Sequence, residues 1–124
     1  MTNKLLAVAS IFEALTGLVL IIAPGMARFL LGTDISGAAV GITRVAGIGL
    51  LILGVACWPR VQANIARVRA MLIYNLVATV YLGYLRVASE SVGKLLFPAL
   101  AVHALLAIMF GAVSFRRELN RWNP

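Results

Sequence analysis

Four apolar stretches, each long enough to cross a bilayer as a helix, constrain the fold of this chain more than any other feature. They cover about residues 5–23, 37–57, 66–86 and 95–115. A spanning helix needs roughly 20 mainly apolar residues, and lipid offers no partner for open backbone groups. Strands of a membrane barrel would alternate apolar and polar residues, and these stretches do not. The pattern predicts an all-α, polytopic membrane protein.

The composition excludes a soluble globular domain. Of the 124 residues, 62% are hydrophobic and 12% are charged, whereas soluble domains are roughly 45–50% apolar and about 25% charged. A small domain buries too little of its surface to hide this excess. Because the connections between the stretches are short, consecutive helices should be antiparallel neighbours. We expect a single four-span membrane domain over 1–124, folded as an antiparallel four-helix transmembrane bundle.

The connections carry local signals for helix ends. Residues 26–32 are apolar enough to lie in the membrane interface as a helical turn, and residues 33–36 offer side-chain oxygens to cap the second span. Pro59 should end that span. Pro98 fits the first turn of the fourth span, where a missing N–H costs little. Residues 89–91 should separate the third span from the fourth.

Lysine and arginine are distributed unequally between the two ends of the predicted bundle. Seven lie on the side that holds both termini and the second connection, and three lie on the opposite side. Such residues are enriched in cytoplasmic loops, so both termini are predicted to be cytoplasmic. The net charge of +7 is then explained by the orientation of the protein in the membrane. The sequence has no basic cluster interleaved with aromatic residues, so it does not indicate nucleic-acid binding. The seven are Lys4, Arg60, Arg67, Arg69, Arg116, Arg117 and Arg121, and the three are Arg28, Arg86 and Lys94.

Six polar residues within the spans are the candidates for a functional site. Ionisable groups at membrane depth are costly, tend to face the bundle interior, and are functional candidates by default. From the cytoplasmic end, the helical rise places Glu13 at about 12 Å and Arg44 at about 20 Å. Tyr81 and His103 come out at about 17–18 Å, and Asn75 at about 8 Å. The predicted ligand-binding residues are Glu13, Arg44, Tyr74, Asn75, Tyr81 and His103.

Small residues share helix faces with several of these polar groups, which indicates that those faces meet other helices. The sets with helical spacing are Ser10, Glu13 and Gly17; Gly37, Gly41, Arg44 and Gly47; and Ala99, His103, Ala107 and Gly111.

Each candidate also has a purely structural interpretation. Glu13 and Arg44 would form a buried pair that fixes helix register. His103 would be a core histidine that donates to a carbonyl or to Glu13. The tyrosines would serve as packing residues or interface anchors, and Asn75 as an interhelical hydrogen bond.

The sequence identifies no cofactor. A single His and a single Cys are too few for a zinc site. Bis-histidine haem ligation within one subunit is excluded too, although a symmetric dimer would supply a second His103. Cys57 is interpreted as a small apolar residue at the end of the second span. A homo-oligomer is left open.

Three short motifs resemble those of small four-span bacterial membrane proteins of the DoxX-like kind. They are Leu20-Ile21-Ile22-Ala23-Pro24, Arg28-Phe29-Leu30-Leu31-Gly32 and Thr43-Arg44-Val45-Ala46-Gly47. The resemblance implies the inner (plasma) membrane of a bacterium, and for some members an association with quinol-linked or redox membrane complexes. The small multidrug resistance transporters are also similar in having four short spans with a glutamate in the first. This chain departs from them in carrying Arg44 and in lacking their helix-three pattern.

We expect a non-enzymatic membrane protein with a polar pocket near the bilayer midplane. The pocket would bind a small amphipathic or anionic molecule, or the protein would be an accessory subunit of a larger membrane complex. One alternative is a small membrane isomerase or hydrolase that acts on a lipid-like substrate through Glu13 and His103. Another is a proton-coupled transporter, in which Glu13 gains and loses a proton near neutral pH. A carboxylate permanently paired with Arg44 would instead stay ionised.

Overall fold

The computed structural model describes residues 2–60, 64–89 and 92–122, and this part of the chain is helical throughout its regular structure. The four long helices are α1 (Thr2–Ile22), α3 (Ala38–Cys57), α4 (Ile65–Ala88) and α5 (Leu96–Trp122). A 3₁₀ turn at Pro24–Ala27 leads into the one-turn helix α2 (Arg28–Leu31). The predicted all-α class is therefore confirmed.

The four long helices are each long and apolar enough to cross a membrane. The predicted spans lie within them except for residues 23, 37 and 95, each one position beyond a helix end, and α5 continues past residue 115 to Trp122. This extension carries Glu118, which forms an ion pair with Arg69 of α4. The helix α4 begins where Asn64 caps it, because the Asn64 Oδ1 accepts a hydrogen bond from the Ala66 N–H at 2.8 Å.

Close contact between α1 and α3 depends on three glycines. A Cβ added to Gly17 would lie 2.5 Å from the Gly47 carbonyl oxygen, and one added to Gly54 would lie 2.5 Å from the Ser10 carbonyl oxygen. Small residues allow this approach of two backbones in a membrane. Because the later residue of α1 meets the earlier residue of α3, the two helices are antiparallel.

The predicted glycine pair at 37–41 lies outside this contact. A Cβ on Gly41 would meet nothing within 4 Å, and the same holds for Gly37. The glycines of α3 that contact α1 are instead Gly47 and Gly54, which lie further along the helix.

The helices α4 and α5 form the second antiparallel pair. Arg69 contacts Glu118 near one end, and Asn75 contacts His103 further along. A buried apolar cluster joins the two pairs at the end where α1 begins and α5 finishes, which we call the terminal end. The cluster consists of Leu6, Ala9, Cys57, Val68, Met71, Leu106 and Phe110.

The opposite end, which we call the loop end, is closed by backbone hydrogen bonds. The Gly93 N–H donates to the Leu30 carbonyl at 3.1 Å, and the Leu95 N–H donates to the Phe29 carbonyl at 2.8 Å. The predicted helical turn in residues 26–32 is confirmed by the 3₁₀ turn and α2. Gly32 ends α2 with a φ of 75°, a left-handed conformation that favours glycine.

The expected side-chain cap of α3 is wrong. Gly37, with a φ of 55°, precedes the helix, and no side-chain oxygen caps it. The Ala39 N–H is satisfied instead by the backbone carbonyl of Ser36 at 3.1 Å. Pro59 follows the end of α3 and Pro98 lies in the first turn of α5, both as predicted. Glu90 and Ser91, expected to separate the last two spans, lie outside the described residues.

Candidate functional site

The Glu13 side chain lies inside the bundle without a hydrogen-bond partner. Its residue is 0% exposed, and neither carboxylate oxygen accepts or donates a hydrogen bond within the described chain. The reason for this position is the rotation of α1. Ser10, Ala14 and Gly17 face α3, and Glu13 is turned about 70° from the centre of that face, toward α4 and α5. An ionised carboxylate left in this state would cost several kcal/mol.

His103 of α5 and Asn75 of α4 form a buried hydrogen-bonded pair beside Glu13. The His103 Nδ1 and the Asn75 Oδ1 are 2.9 Å apart, and the Asn75 Nδ2 donates to the Met71 carbonyl at 2.8 Å. The second bond determines which amide atom faces the ring. Because Oδ1 is an acceptor only, the network assigns the proton of the neutral imidazole to Nδ1. The Nε2 atom is then the acceptor of the ring.

Two aromatic rings hold the imidazole edge-on. The Phe12 ring of α1 lies 6.0 Å from the His103 ring, and the Tyr74 ring of α4 lies 5.7 Å from it, with interplanar angles of 74° and 80°. The Tyr74 hydroxyl is also near the Glu13 carboxylate, close enough for a weak interaction as a donor, although the geometry is not that of a regular hydrogen bond. The imidazole is thus oriented by contacts from both helix pairs.

The Glu13 Oε1 lies 3.9 Å from the His103 Nδ1, within electrostatic range but too far for a hydrogen bond. Since the Nδ1 proton is already donated to Asn75, direct proton exchange between Glu13 and His103 through this atom would require the Asn75 bond to break. The arrangement therefore offers a carboxyl group without a hydrogen bond of regular geometry and, separately, an oriented imidazole. We call these four residues, Glu13, Tyr74, Asn75 and His103, the Glu13–His103 site.

The structure brings together four of the six predicted residues, and Arg44 and Tyr81 lie elsewhere. Arg44 is exposed on the flank of α3, about 60–80° around the helix from Gly47 and Gly54, which face α1. The predicted Glu13–Arg44 pair is therefore wrong, because the two side chains point to different sides of their helices. Tyr81 is 57% exposed. It shares a helix face with Tyr74 but lies about 10 Å further along α4.

Two further residues are absent from the predicted site residues: Phe12, which contacts the His103 ring, and Ser10, which lies one turn from Glu13 on α1 but faces α3. Phe12 was unassigned, although its position next to Glu13 on the side of α1 that faces α5 gives it contact with the ring. Ser10 was placed on the small-residue face of α1, and its buried hydroxyl has no hydrogen-bond partner in the described chain. A serine hydroxyl in a helix commonly donates a hydrogen bond to the carbonyl one turn earlier. The sequence therefore cannot show which serine hydroxyl will lack a partner.

Within residues 2–60, 64–89 and 92–122, no group of three or more His, Cys, Asp or Glu side chains could hold a metal ion. Comparison of the chain with protein-family models, with curated proteins and with solved structures found no match.

Proposed function

We propose that this multi-pass membrane protein binds a small amphipathic molecule at the Glu13–His103 site, through a head group that donates hydrogen bonds or carries positive charge. The observation that carries the proposal is the fully buried Glu13 carboxyl without a hydrogen-bond partner. Buried polar groups in folded proteins are nearly always hydrogen-bonded. A cationic or hydroxyl head group would supply a hydrogen bond of regular geometry to the carboxyl, which the nearby Tyr74 hydroxyl does not make.

The charge of the site favours this head group over an anionic one. Arg44, the one arginine among the six predicted residues, is exposed on α3 away from Glu13 and supplies no positive charge to the site. The site itself combines one carboxyl with the neutral amide of Asn75 and the phenol of Tyr74. An anion placed there would meet a like charge whenever Glu13 is ionised, and its burial would be uncompensated.

Three twelve-carbon probes with different head groups test the proposal: dodecylammonium, dodecanol and dodecanoate. His103 is the one histidine of the chain, so selective ¹⁵N-histidine labelling gives the signal of a single imidazole next to the site. We expect dodecylammonium or dodecanol to shift this signal in a saturable manner and dodecanoate to leave it unchanged. Glu13→Gln should weaken the response, and Asp34→Asn, at the loop end, is the control. A saturable shift by dodecanoate alone would contradict the proposal.

Proton-coupled transport of such a molecule is a second candidate, favoured by the burial of an ionisable carboxyl, that of Glu13, inside the helix bundle. A cationic substrate and a proton would compete for the same carboxylate. The test is uptake of ethidium into proteoliposomes driven by an imposed pH gradient. Uptake that Glu13→Gln abolishes would support transport, and uptake equal to that of protein-free vesicles would exclude it for this probe.

The enzymatic alternative has less support from the geometry, because the Nδ1 of His103 is engaged by Asn75. An isomerase or hydrolase would have to use the Nε2 atom as its base. The accessory role in a redox complex stays a prediction from the DoxX-like resemblance alone. Neither the enzymatic activity nor the accessory role is needed to account for the Glu13 carboxyl.

We also propose a bacterial plasma membrane with both termini in the cytoplasm. Support comes from the excess of basic residues at the terminal end, which holds Lys4, Arg60, Arg67, Arg69 and Arg116, over the loop end, which holds Arg28, Arg86 and Lys94. A fluorescent protein that matures only in the cytoplasm, fused to the C-terminus, tests this topology. Fluorescent cells are expected, and dark cells that contain the intact fusion in the membrane would reverse the orientation.

A further inference from the structure

A groove of about 380 Å³ runs between α1 and α3 near the terminal end and is separate from the Glu13–His103 site. Its walls are mostly apolar. They include Ile11, Ala14 and Leu15 from α1, and Gly54 and Val55 from α3. Ile11, Leu15 and Val55 are exposed, so the groove opens toward the surrounding membrane.

Basic residues lie where this groove reaches the terminal end of the bundle. Arg60, just beyond α3, lines the groove together with Trp58. Lys4 precedes Ile11 by seven residues, so it lies on the same face of α1 and about 10 Å nearer the terminal end. Both basic side chains are exposed. Tryptophan is enriched at the membrane–water interface. Trp58 therefore marks the level at which the groove passes from the apolar interior of the membrane to its charged surface.

The groove also contains an unpartnered polar group. Ser10 lines it, is 1% exposed, and has a hydroxyl without a hydrogen-bond partner in the described chain. Gly54 lies against the Ser10 backbone, so Ser10 is about one helical turn deeper than Trp58. This is a depth at which the ester region of a lipid gives way to its acyl chains, and an ester carbonyl is an acceptor that a hydroxyl can use.

We propose that this groove is a binding site for one anionic phospholipid. An acyl chain occupies the apolar part between α1 and α3, and the phosphate lies between Lys4 and Arg60. Charge complementarity selects the anionic class: among the acidic residues that the structure describes, Glu118 is the one near the terminal end, and it is already paired with Arg69. Each basic residue near a membrane surface contributes about fivefold to binding of anionic lipid.

The test uses Trp58 as a reporter inside the groove. The chain has two tryptophans, so Trp122→Phe leaves Trp58 as the single fluorophore. This variant is reconstituted in phosphatidylcholine vesicles with increasing fractions of bromine-labelled phosphatidylglycerol or bromine-labelled phosphatidylcholine, whose bromine atoms quench nearby tryptophan. We expect quenching by the phosphatidylglycerol at mole fractions about 25-fold lower than by the phosphatidylcholine, because Lys4 and Arg60 each contribute about fivefold.

Five variants in this background locate the lipid. We define the preference as the ratio of the phosphatidylcholine to the phosphatidylglycerol mole fraction that gives equal quenching. The double variant Lys4→Gln with Arg60→Gln should reduce this ratio to near one, and each single substitution should reduce it in part. Arg116→Gln removes the same charge at the same end of the bundle from an exposed position on α5, and it should leave the preference unchanged. Val55→Phe narrows the groove at an exposed residue and should reduce quenching by both lipids. Circular dichroism verifies that each variant retains its helical content.

Two results would overturn the proposal. Equal quenching by the two lipids before any charge is removed would show that the groove does not select anionic lipid. An effect of Arg116→Gln as large as that of the double variant would show a diffuse surface attraction instead of a site. Neither result would bear on the Glu13–His103 site, which lies on the other side of α1.

Discussion

The Nδ1 of His103 and the Oδ1 of Asn75 lie 2.9 Å apart across the interface of α5 and α4. Both residues are buried, and the Asn75 amide is itself oriented by the Met71 carbonyl. This bond determines which imidazole nitrogen carries the proton and leaves the Glu13 carboxyl, 3.9 Å from the same nitrogen, without a partner. The chemistry of the site follows from this relationship.

Replacement of Asn75 by Leu should release the imidazole. The buried Nδ1–H would lose its acceptor, at a cost of about 1–3 kcal/mol in the free energy of unfolding, and the tautomer should shift toward the Nε2–H form. The ¹⁵N spectrum of the single histidine reads out the tautomer directly. Asn120→Leu, at an exposed position on α5, is the control. An unchanged imidazole spectrum in Asn75→Leu would mean that Asn75 does not hold the ring.

Replacement of Glu13 by Met should leave the bundle at least as stable as before. The side chains are similar in volume, and the change removes a buried carboxyl that has no partner, which is worth about 1–3 kcal/mol. Reversible unfolding in mixed micelles measures the free energy. The same variant should lose the response to dodecylammonium. A loss of stability of about 3 kcal/mol or more would instead identify Glu13 as one member of a buried ion pair.

Gly17→Ala, Gly47→Ala and Gly54→Ala should each destabilise the contact of α1 with α3. The added Cβ would lie 2.5–2.6 Å from backbone atoms of the facing helix, and overpacking of this kind costs about 1–3 kcal/mol. Gly41→Ala and Gly49→Ala are matched controls on α3, because their Cβ atoms would meet nothing within 4 Å. These controls should be neutral or stabilising by up to about 1 kcal/mol. The midpoint of thermal loss of helical circular dichroism distinguishes the two groups.

Replacement of Arg44 by Gln should leave the Glu13–His103 site unchanged. The arginine is exposed on α3, and its charge is not used by Glu13. We expect the same histidine ¹⁵N spectrum and the same affinity for dodecylammonium, within twofold, as in the unsubstituted protein. If the variant instead shifts the imidazole signal to the extent that Glu13→Gln does, then Arg44 and Glu13 interact in the membrane.

Local chemistry was sufficient to predict much of the fold. The spans could be located because lipid requires every backbone group to be bonded within a helix, so length and hydropathy alone select the segments. Pro59 and Pro98 have consequences that do not depend on neighbouring helices, and both positions are as predicted. The cap of α3 was not predictable in this way, since a backbone carbonyl of Ser36 replaced the side-chain oxygens that the sequence offers.

The candidate site could be predicted only in part, because membership depends on how each helix is rotated about its axis. Glu13 and His103 are buried as expected, since the bundle interior is the less costly location for a polar group in lipid. The same reasoning predicts that Arg44 is buried. The α1–α3 contact through Gly17, Gly47 and Gly54 instead rotates α3 so that the Arg44 side chain is exposed. The sequence contains five further glycines in the spans or at their ends, and nothing in it marks these three as the contact.

The sequence by itself determined that this protein is a bundle of four apolar helices, and which polar residues lie at membrane depth. These properties depend on the free energy of transferring each segment from water to lipid, and that free energy is a sum of contributions from single residues. The tertiary structure alone decided that Asn75 bonds to His103, that Glu13 stays unpartnered, and that Arg44 is exposed. The reason is that helix rotation is set by close packing between whole faces, in which distant residues act together.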